Sequence, residues 1–224
     1  ALTDDDQGDY NTAVGYFALE NYSGGDGEGQ NTAFGAQAGR NISTGQHNTV
    51  MGYLAMGAGT TTGDYNVAVG RQAGQSLTSG EQNILLGGFA GDNLSAGIRN
   101  VAIGYNALGA ENDHGLNVAV GHQALKNQDA GANAYNTAVG YDAGLSVTTG
   151  TENVFIGGLA GDSLTIGKHN VAIGYESLSS ADAGDFSVAI GHSALREQNG
   201  ASAGDNFYNV AVGYQAGKLV TTGV

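Results

Sequence analysis

A five-residue phrase, asparagine (once serine) followed by three apolar or threonine residues and a glycine, recurs twelve times between residues 11 and 213. It opens with Asn11-Thr12-Ala13-Val14-Gly15 and closes with Asn209-Val210-Ala211-Val212-Gly213. Between them the leading and closing positions are Asn31 and Gly35, Asn48 and Gly52, Asn66 and Gly70, Asn83 and Gly87, Asn100 and Gly104, Asn117 and Gly121, Asn136 and Gly140, Asn153 and Gly157, Asn170 and Gly174, and Ser187 and Gly191. Successive leading positions lie 20, 17, 18, 17, 17, 17, 19, 17, 17, 17 and 22 residues apart. This period is too short for a pair of helices, which takes about 33 residues, but it is long enough for one coil of a β-solenoid. The expected fold class is all-β, a repetitive β-solenoid of about twelve short coils with two or three short strands in each. At about 4.8 Å between stacked coils, twelve would extend roughly 55 Å.

Alternation within the phrase puts its second and fourth positions on one face of a strand and the third on the other. The second is Thr or a branched aliphatic, as in Thr12, Val67, Ile84 and Val171, and the fourth is apolar throughout, as in Val14, Phe34, Met51 and Ile173. The third is mostly alanine, as in Ala13, Ala68 and Ala172, with Val50, Leu85 and Phe155 as the larger members. Both faces therefore avoid water, although a lone solenoid buries one. The small alanine row suits close approach of a neighbour, and identical chains packed around an axis are the economical cover.

After each glycine comes a turn in which Ala or Ser recurs at the third position, followed by either Gly or a larger apolar residue. Gly74, Gly91, Leu108 and Leu125 return as Gly144, Gly161, Leu178 and Leu195, a four-coil superperiod of about 70 residues. Leu is expected to fill space in some coils and Gly to allow a tight or left-handed turn in others. The chain thus divides into a leading acidic segment, 1–9, and a repeat solenoid, 10–224. Longer connections near 21–30, 126–135 and 196–208 are expected to leave the stack laterally. The start at Ala1, within repeat-like text and without methionine, reads as a segment cut from a longer chain.

Forty glycines without proline exclude collagen, which needs both in a strict triplet. Seven basic against 21 acidic residues, a formal charge of −14, argue against nucleic acid as a partner. No cysteine is present to form disulfides or thiolate metal sites. No apolar run approaches the roughly 18 residues of a membrane helix, so direct membrane insertion is not expected.

The leading asparagines and closing glycines read as architecture: stacked Asn amides can bond as a ladder, and the glycines mark a backbone position closed to side chains. His47, His114, His122, His169 and His192 are scattered over different coils without zinc-ligand spacing, and no serine sits in a nucleophile elbow. The chain is read as no enzyme and as needing no cofactor. Asp4-Asp5-Asp6, Asp9 and Gly25-Asp26-Gly27-Glu28-Gly29 could hold calcium but lack an EF-hand or β-roll pattern. Tyr16, Tyr53, Tyr105, Tyr141, Tyr175 and Tyr214 follow the closing glycine and are the candidate surface or glycan contacts, because aromatic rings stack on sugars. Packing at a corner or between chains is the competing reading. A second aromatic set, Tyr10, Tyr65, Tyr135, Phe186 and Tyr208, precedes the strands and could cap the apolar seam. Thr12, Thr32, Thr49 and Thr137 suggest an ice-binding alternative, interrupted by Val and Ile elsewhere.

The phrase Asn-Thr-Ala-Val-Gly-Tyr-x-Ala-Gly/Leu, as in Asn11–Leu19, Asn136–Gly144, Asn100–Leu108 and Asn209–Gly217, resembles head repeats of trimeric autotransporter adhesins. It is still more similar to related repeats in bacteriophage tail-fibre and tailspike proteins, and Ser187-Val188-Ala189-Ile190-Gly191 is similar to the adhesin form. The resemblance covers residues 10–217; the longer coils favour the phage comparison. It implies a parallel fibre of identical subunits, three by preference, in an extracellular or virion appendage that displays or contributes to attachment through a cell-surface glycan or protein receptor. A polysaccharide-processing tailspike domain is the alternative, and it requires two carboxylates about 5 to 10 Å apart in an accessible groove.

Overall fold

The computed structural model describes residues 10–24, 29–199 and 205–221. Among them the chain is an all-β parallel β-solenoid with twelve strands of three residues, one for each repeat. It divides into two compact units, Ala1–Gly115 and Leu116–Val224. The first carries β1 (Thr12–Val14), β2 (Thr32–Phe34), β3 (Thr49–Met51), β4 (Val67–Val69), β5 (Ile84–Leu86) and β6 (Val101–Ile103). The second carries β7 (Val118–Val120), β8 (Thr137–Val139), β9 (Val154–Ile156), β10 (Val171–Ile173), β11 (Val188–Ile190) and β12 (Val210–Val212). Within each unit every strand pairs with the next in parallel, in one register: Thr32 lies between Thr12 and Thr49, and Val171 between Val154 and Val188.

The closing glycine limits each strand to three residues. Gly157 has φ +132°, and a Cβ there would lie 2.7 Å from the carbonyl oxygen of Gly174 in the next coil. Only a residue without a side chain lets the two backbones pass. The remainder of each coil is turn, so one strand forms per coil where two or three were expected. Left-handed residues bend it at three stations: before the leading Asn (Tyr65, φ 59°), two after the closing glycine (Phe89, φ 58°) and four after it (Gly91, φ 55°; Leu108, φ 53°). This conformation costs a side-chain-bearing residue about 1–2 kcal/mol. Bonds between coils hold it: Phe89 N–H donates to Arg71 C=O at 2.9 Å and Gly91 N–H to Ala107 C=O at 3.0 Å.

The alanine row faces the coil interior, where Ala33, Ala68, Ala102, Ala138 and Ala172 are fully buried. The outward face is instead the second and fourth positions, the reverse of an alanine row awaiting a neighbour. The interior is narrow, so its rows must share space. Coils with Gly at the fourth position after the closing glycine place Ile42, Leu77, Leu94, Val147 or Leu164 three residues later, all buried. Coils with Leu or Met there place Gly59, Glu111, Gln128, Ala181 or Gln198 at that later station; Tyr22, in the first coil, is the exception. The same exchange surrounds the large third-position residues. A Cβ on Gly74 would lie 2.7 Å from Leu85 Cδ1, one on Gly91 2.8 Å from Leu85 Cδ2, and one on Gly144 2.9 Å from Phe155 Cδ2. The 70-residue superperiod thus sets glycines beside the large third-position residues Leu85 and Phe155, where a side chain would collide with them.

The asparagines line the interior as hydrogen-bonded files, one in each unit. Each side-chain oxygen accepts the backbone N–H of the next leading residue: Asn31 to Asn11 Oδ1, Asn66 to Asn48 Oδ1 and Asn153 to Asn136 Oδ1, at 2.8–2.9 Å. Most of the amide nitrogens donate to a glycine carbonyl of the following turn, as Asn83 Nδ2 does to Gly97 O at 2.8 Å; Asn100 Nδ2 instead donates to His114 O at 3.2 Å, and Asn11 Nδ2, at the first rung, is buried without a partner among the described residues. Satisfying both ends of a buried amide makes the file stabilising rather than costly.

The longer connections turn partly inward. Gln128 and Gln198 are fully buried. Gln128 Oε1 accepts from Asn136 Nδ2 at 2.6 Å, and Gln198 Nε2 donates to Ser187 Oγ at 2.7 Å. Gln198 thereby reaches the one rung where serine replaces asparagine. Segment 1–9, with Asp4-Asp5-Asp6 and Asp9, lies outside the described residues, as do positions 25–28 and 200–204 of the other long connections.

Candidate functional site

In each unit the outward strand positions form an apolar strip. Its members include Val14, Phe34, Met51 and Ile84 in the first unit and Val139, Ile156, Val210 and Val212 in the second, all exposed. Phe34 keeps 54% of its surface and Val212 66%, more than scattered surface apolar residues need.

Aromatic columns stand at two stations beside these strands. Following the closing glycine, Tyr16, Tyr53 and Tyr105 in the first unit and Tyr141, Tyr175 and Tyr214 in the second are all exposed. His122 stacks on Tyr141 with centroids 5.1 Å apart and an interplanar angle of 7°. His192 lies 5.3 Å from both Tyr175 and Tyr214. Before the leading Asn, Tyr10, Tyr65, Tyr135, Phe186 and Tyr208 are also exposed. His47 stacks on Tyr65 at 4.6 Å, and His169, Phe186 and Tyr208 stack in sequence at 4.7 and 5.2 Å. In-register coils line up equivalent rings, which explains why histidines scattered in the sequence serve as rungs of aromatic ladders. Carboxylates sit beside two of them, Asp142 at 3.3 Å from His122 and Glu152 at 3.1 Å from His169.

Thr12, Thr32 and Thr49 form an exposed file on β1–β3, flanked by Val14, Phe34 and Met51 rather than by a second threonine row. Thr137 stands apart, between Val118 and Val154.

The acidic groups are largely engaged by the stack. Glu176 pairs with Arg196 at 3.3 Å and accepts from Ser193 Oγ at 3.5 Å. Burial pushes the block-equivalent carboxyls of Asp92 and Asp162 above the ordinary 3.8; hydrogen bonds lower them, and for Asp162 the charges of Glu176 and Asp142 add to the rise. One oxygen of each is buried without a hydrogen-bond partner. A value raised on folding favours the protonated form, so this contribution to stability is full below the unfolded value and disappears as pH rises through the folded one. Asp162→Asn should accordingly raise the melting temperature by a few degrees at pH 7 and leave it unchanged at pH 3, as followed by circular dichroism. In the first unit the fully buried Glu111 lies 3.8 Å from His114 Nδ1, an oxygen and a nitrogen of the kind that a metal ion accepts. The Asp26 and Glu28 carboxylates weighed for calcium lie outside the described residues.

No helix among the described residues is long and apolar enough to cross a membrane. Neither a protein-family model, nor a curated protein, nor a solved structure matches the chain. The architecture is that of a β-solenoid, a fold consistent with many repeat and fibre proteins.

Proposed function

We propose that this chain is a structural spacer of an extracellular or virion appendage, in which identical chains, three by preference, pack their outward strand strips together. The apolar strip carries this reading: it repeats on each of twelve strands, and its residues match the half-buried, β-branched character of a sheet face pressed against another. A parallel stack favours parallel association, because the same residues recur at each level of every copy. The assembly shields the strips and leaves the turns and longer connections free to contribute to attachment, with many weak contacts adding through avidity. The resemblance to phage tail-fibre and adhesin-head repeats supports the same assignment, and the charge of −14 suits a partner other than nucleic acid.

Val171→Glu with Ile173→Glu tests the reading. Both positions are half-buried in the protomer and point outward on β10. The variant should keep its β-sheet circular dichroism while its sedimentation mass falls to that of one protomer, 22.5 kDa. An undiminished oligomer would place the interface elsewhere.

A further inference from the structure

The column that follows the closing glycines in the first unit reads Tyr16, Ala36, Tyr53, Arg71, Gly88 and Tyr105, so one rung has no side chain. A Cβ built on Gly88 would meet nothing nearer than Tyr105 Cδ2 at 3.6 Å and the Arg71 carbonyl oxygen at 4.0 Å, so the space above this rung is open. Arg71 bounds it on one side and Tyr105 on the other. Phe89 stands beside both: the Arg71 guanidinium carbon lies 5.1 Å from its ring centre, and the Tyr105 ring meets it edge-on at 5.7 Å and 77°. Arg71 is exposed and forms no ion pair among the described residues, although the chain has three times as many acidic as basic residues (21 against 7). Its packing on Phe89 orients a planar fork of N–H donors with no carboxylate to receive them.

We propose that this notch binds a saccharide ring bearing a carboxylate. The Tyr105 face stacks on the ring's C–H surface, and the Arg71 fork takes the carboxylate through two parallel hydrogen bonds. The chain contains its own comparison. Seventy residues later the notch recurs at Gly158, where a Cβ would lie 3.5 Å from Tyr175 Cδ2. There Tyr141 replaces Arg71, Leu159 replaces Phe89, and the neutral neighbours Gln72 and Asn106 become Asp142 and Glu176. The Glu176 charge is the largest cause holding the Tyr175 hydroxyl above its ordinary value, so this second notch lies in a negative field. An anionic sugar is therefore accepted at Gly88 and repelled at Gly158.

Titration of the intact, assembled chain with 3′-sialyllactose and with a glucuronate-containing disaccharide, followed by saturation-transfer NMR, tests the proposal; lactose is the neutral control. At least one carboxylated probe should bind saturably and lactose should not, and the probe that binds identifies a sialic or a uronic acid as the source. Arg71→Gln should weaken binding by about tenfold or more. Arg71→Lys, which keeps the charge but loses the fork, should fall between. Gly88→Leu should abolish binding, and Gly158→Leu should leave it intact. Circular dichroism and sedimentation mass should match the native chain in every variant, separating loss of the site from loss of assembly. Failure of both carboxylated probes to bind, equal binding of lactose, or native affinity in Arg71→Gln would overturn the proposal.

Discussion

Replacing Phe155 by alanine should lower the unfolding free energy by about 3–5 kcal/mol, the cost of emptying a fully buried aromatic position. The ring lies between the turns of two coils, and both carry glycine where other coils carry leucine. A Cβ on Gly161 would fall against Phe155 Cε1, and one on Gly144 would lie 2.9 Å from Cδ2. The two substitutions Phe155→Ala and Gly161→Ala should therefore be coupled. Alone, Gly161→Ala forces a methyl group into the ring and adds left-handed strain of about 1 kcal/mol. Once Phe155 is alanine the collision is gone and the strain remains. Equilibrium denaturation of both single variants and the double variant should show the double less destabilised than the sum by about 1 kcal/mol or more. Strict additivity would mean that ring and glycine do not share the same space.

Gly157→Ala should cost about 3 kcal/mol or more, although it adds one methyl group. Two effects combine there: φ of +132° is closed to alanine, and the added carbon would lie 2.7 Å from the Gly174 carbonyl oxygen. A backbone oxygen cannot rotate away as a side chain does, so the stack must part at that rung. Gly213 separates the effects, because it has φ +131° while a Cβ there would meet only Ala216 Cβ at 3.9 Å. Gly213→Ala should therefore lose the strain component alone, about 1–3 kcal/mol. Equal losses at Gly157 and Gly213 would show that inter-coil contact contributes nothing to the glycine's role.

The repeat period carried the architecture in plain view. A 17-residue spacing with alternating Thr/Val, Ala and Val/Ile leaves a stacked coil as the natural solution, and twelve short parallel strands form at those phrases. Alternation alone did not reveal which face turns inward, because both are apolar. Volume decides it: the narrow interior admits Ala33 or Ala172 on most rungs, while Phe34 or Ile173 fits only outside. The superperiod was visible as text, but its cause was not, since Leu85 and Phe155 meet glycines of adjacent coils only once the register is known. The left-handed turns were hidden because Phe89, Leu108 and Tyr65 belong to residue types with no preference for that conformation. At the surface, the tyrosine stations could be named from their register with glycine. The open rung at Gly88 could not be, because its meaning lies in Arg71 and Tyr105 on neighbouring coils.

Sedimentation equilibrium of the unaltered chain at neutral pH, across a range of protein concentrations, bears most directly on the idea that the outward strips are kept dry by further copies. The account predicts a single species with about three times the 22.5 kDa protomer mass. A monodisperse 22.5 kDa particle throughout that range, with Phe34, Ile156 and Val212 open to water, would contradict it.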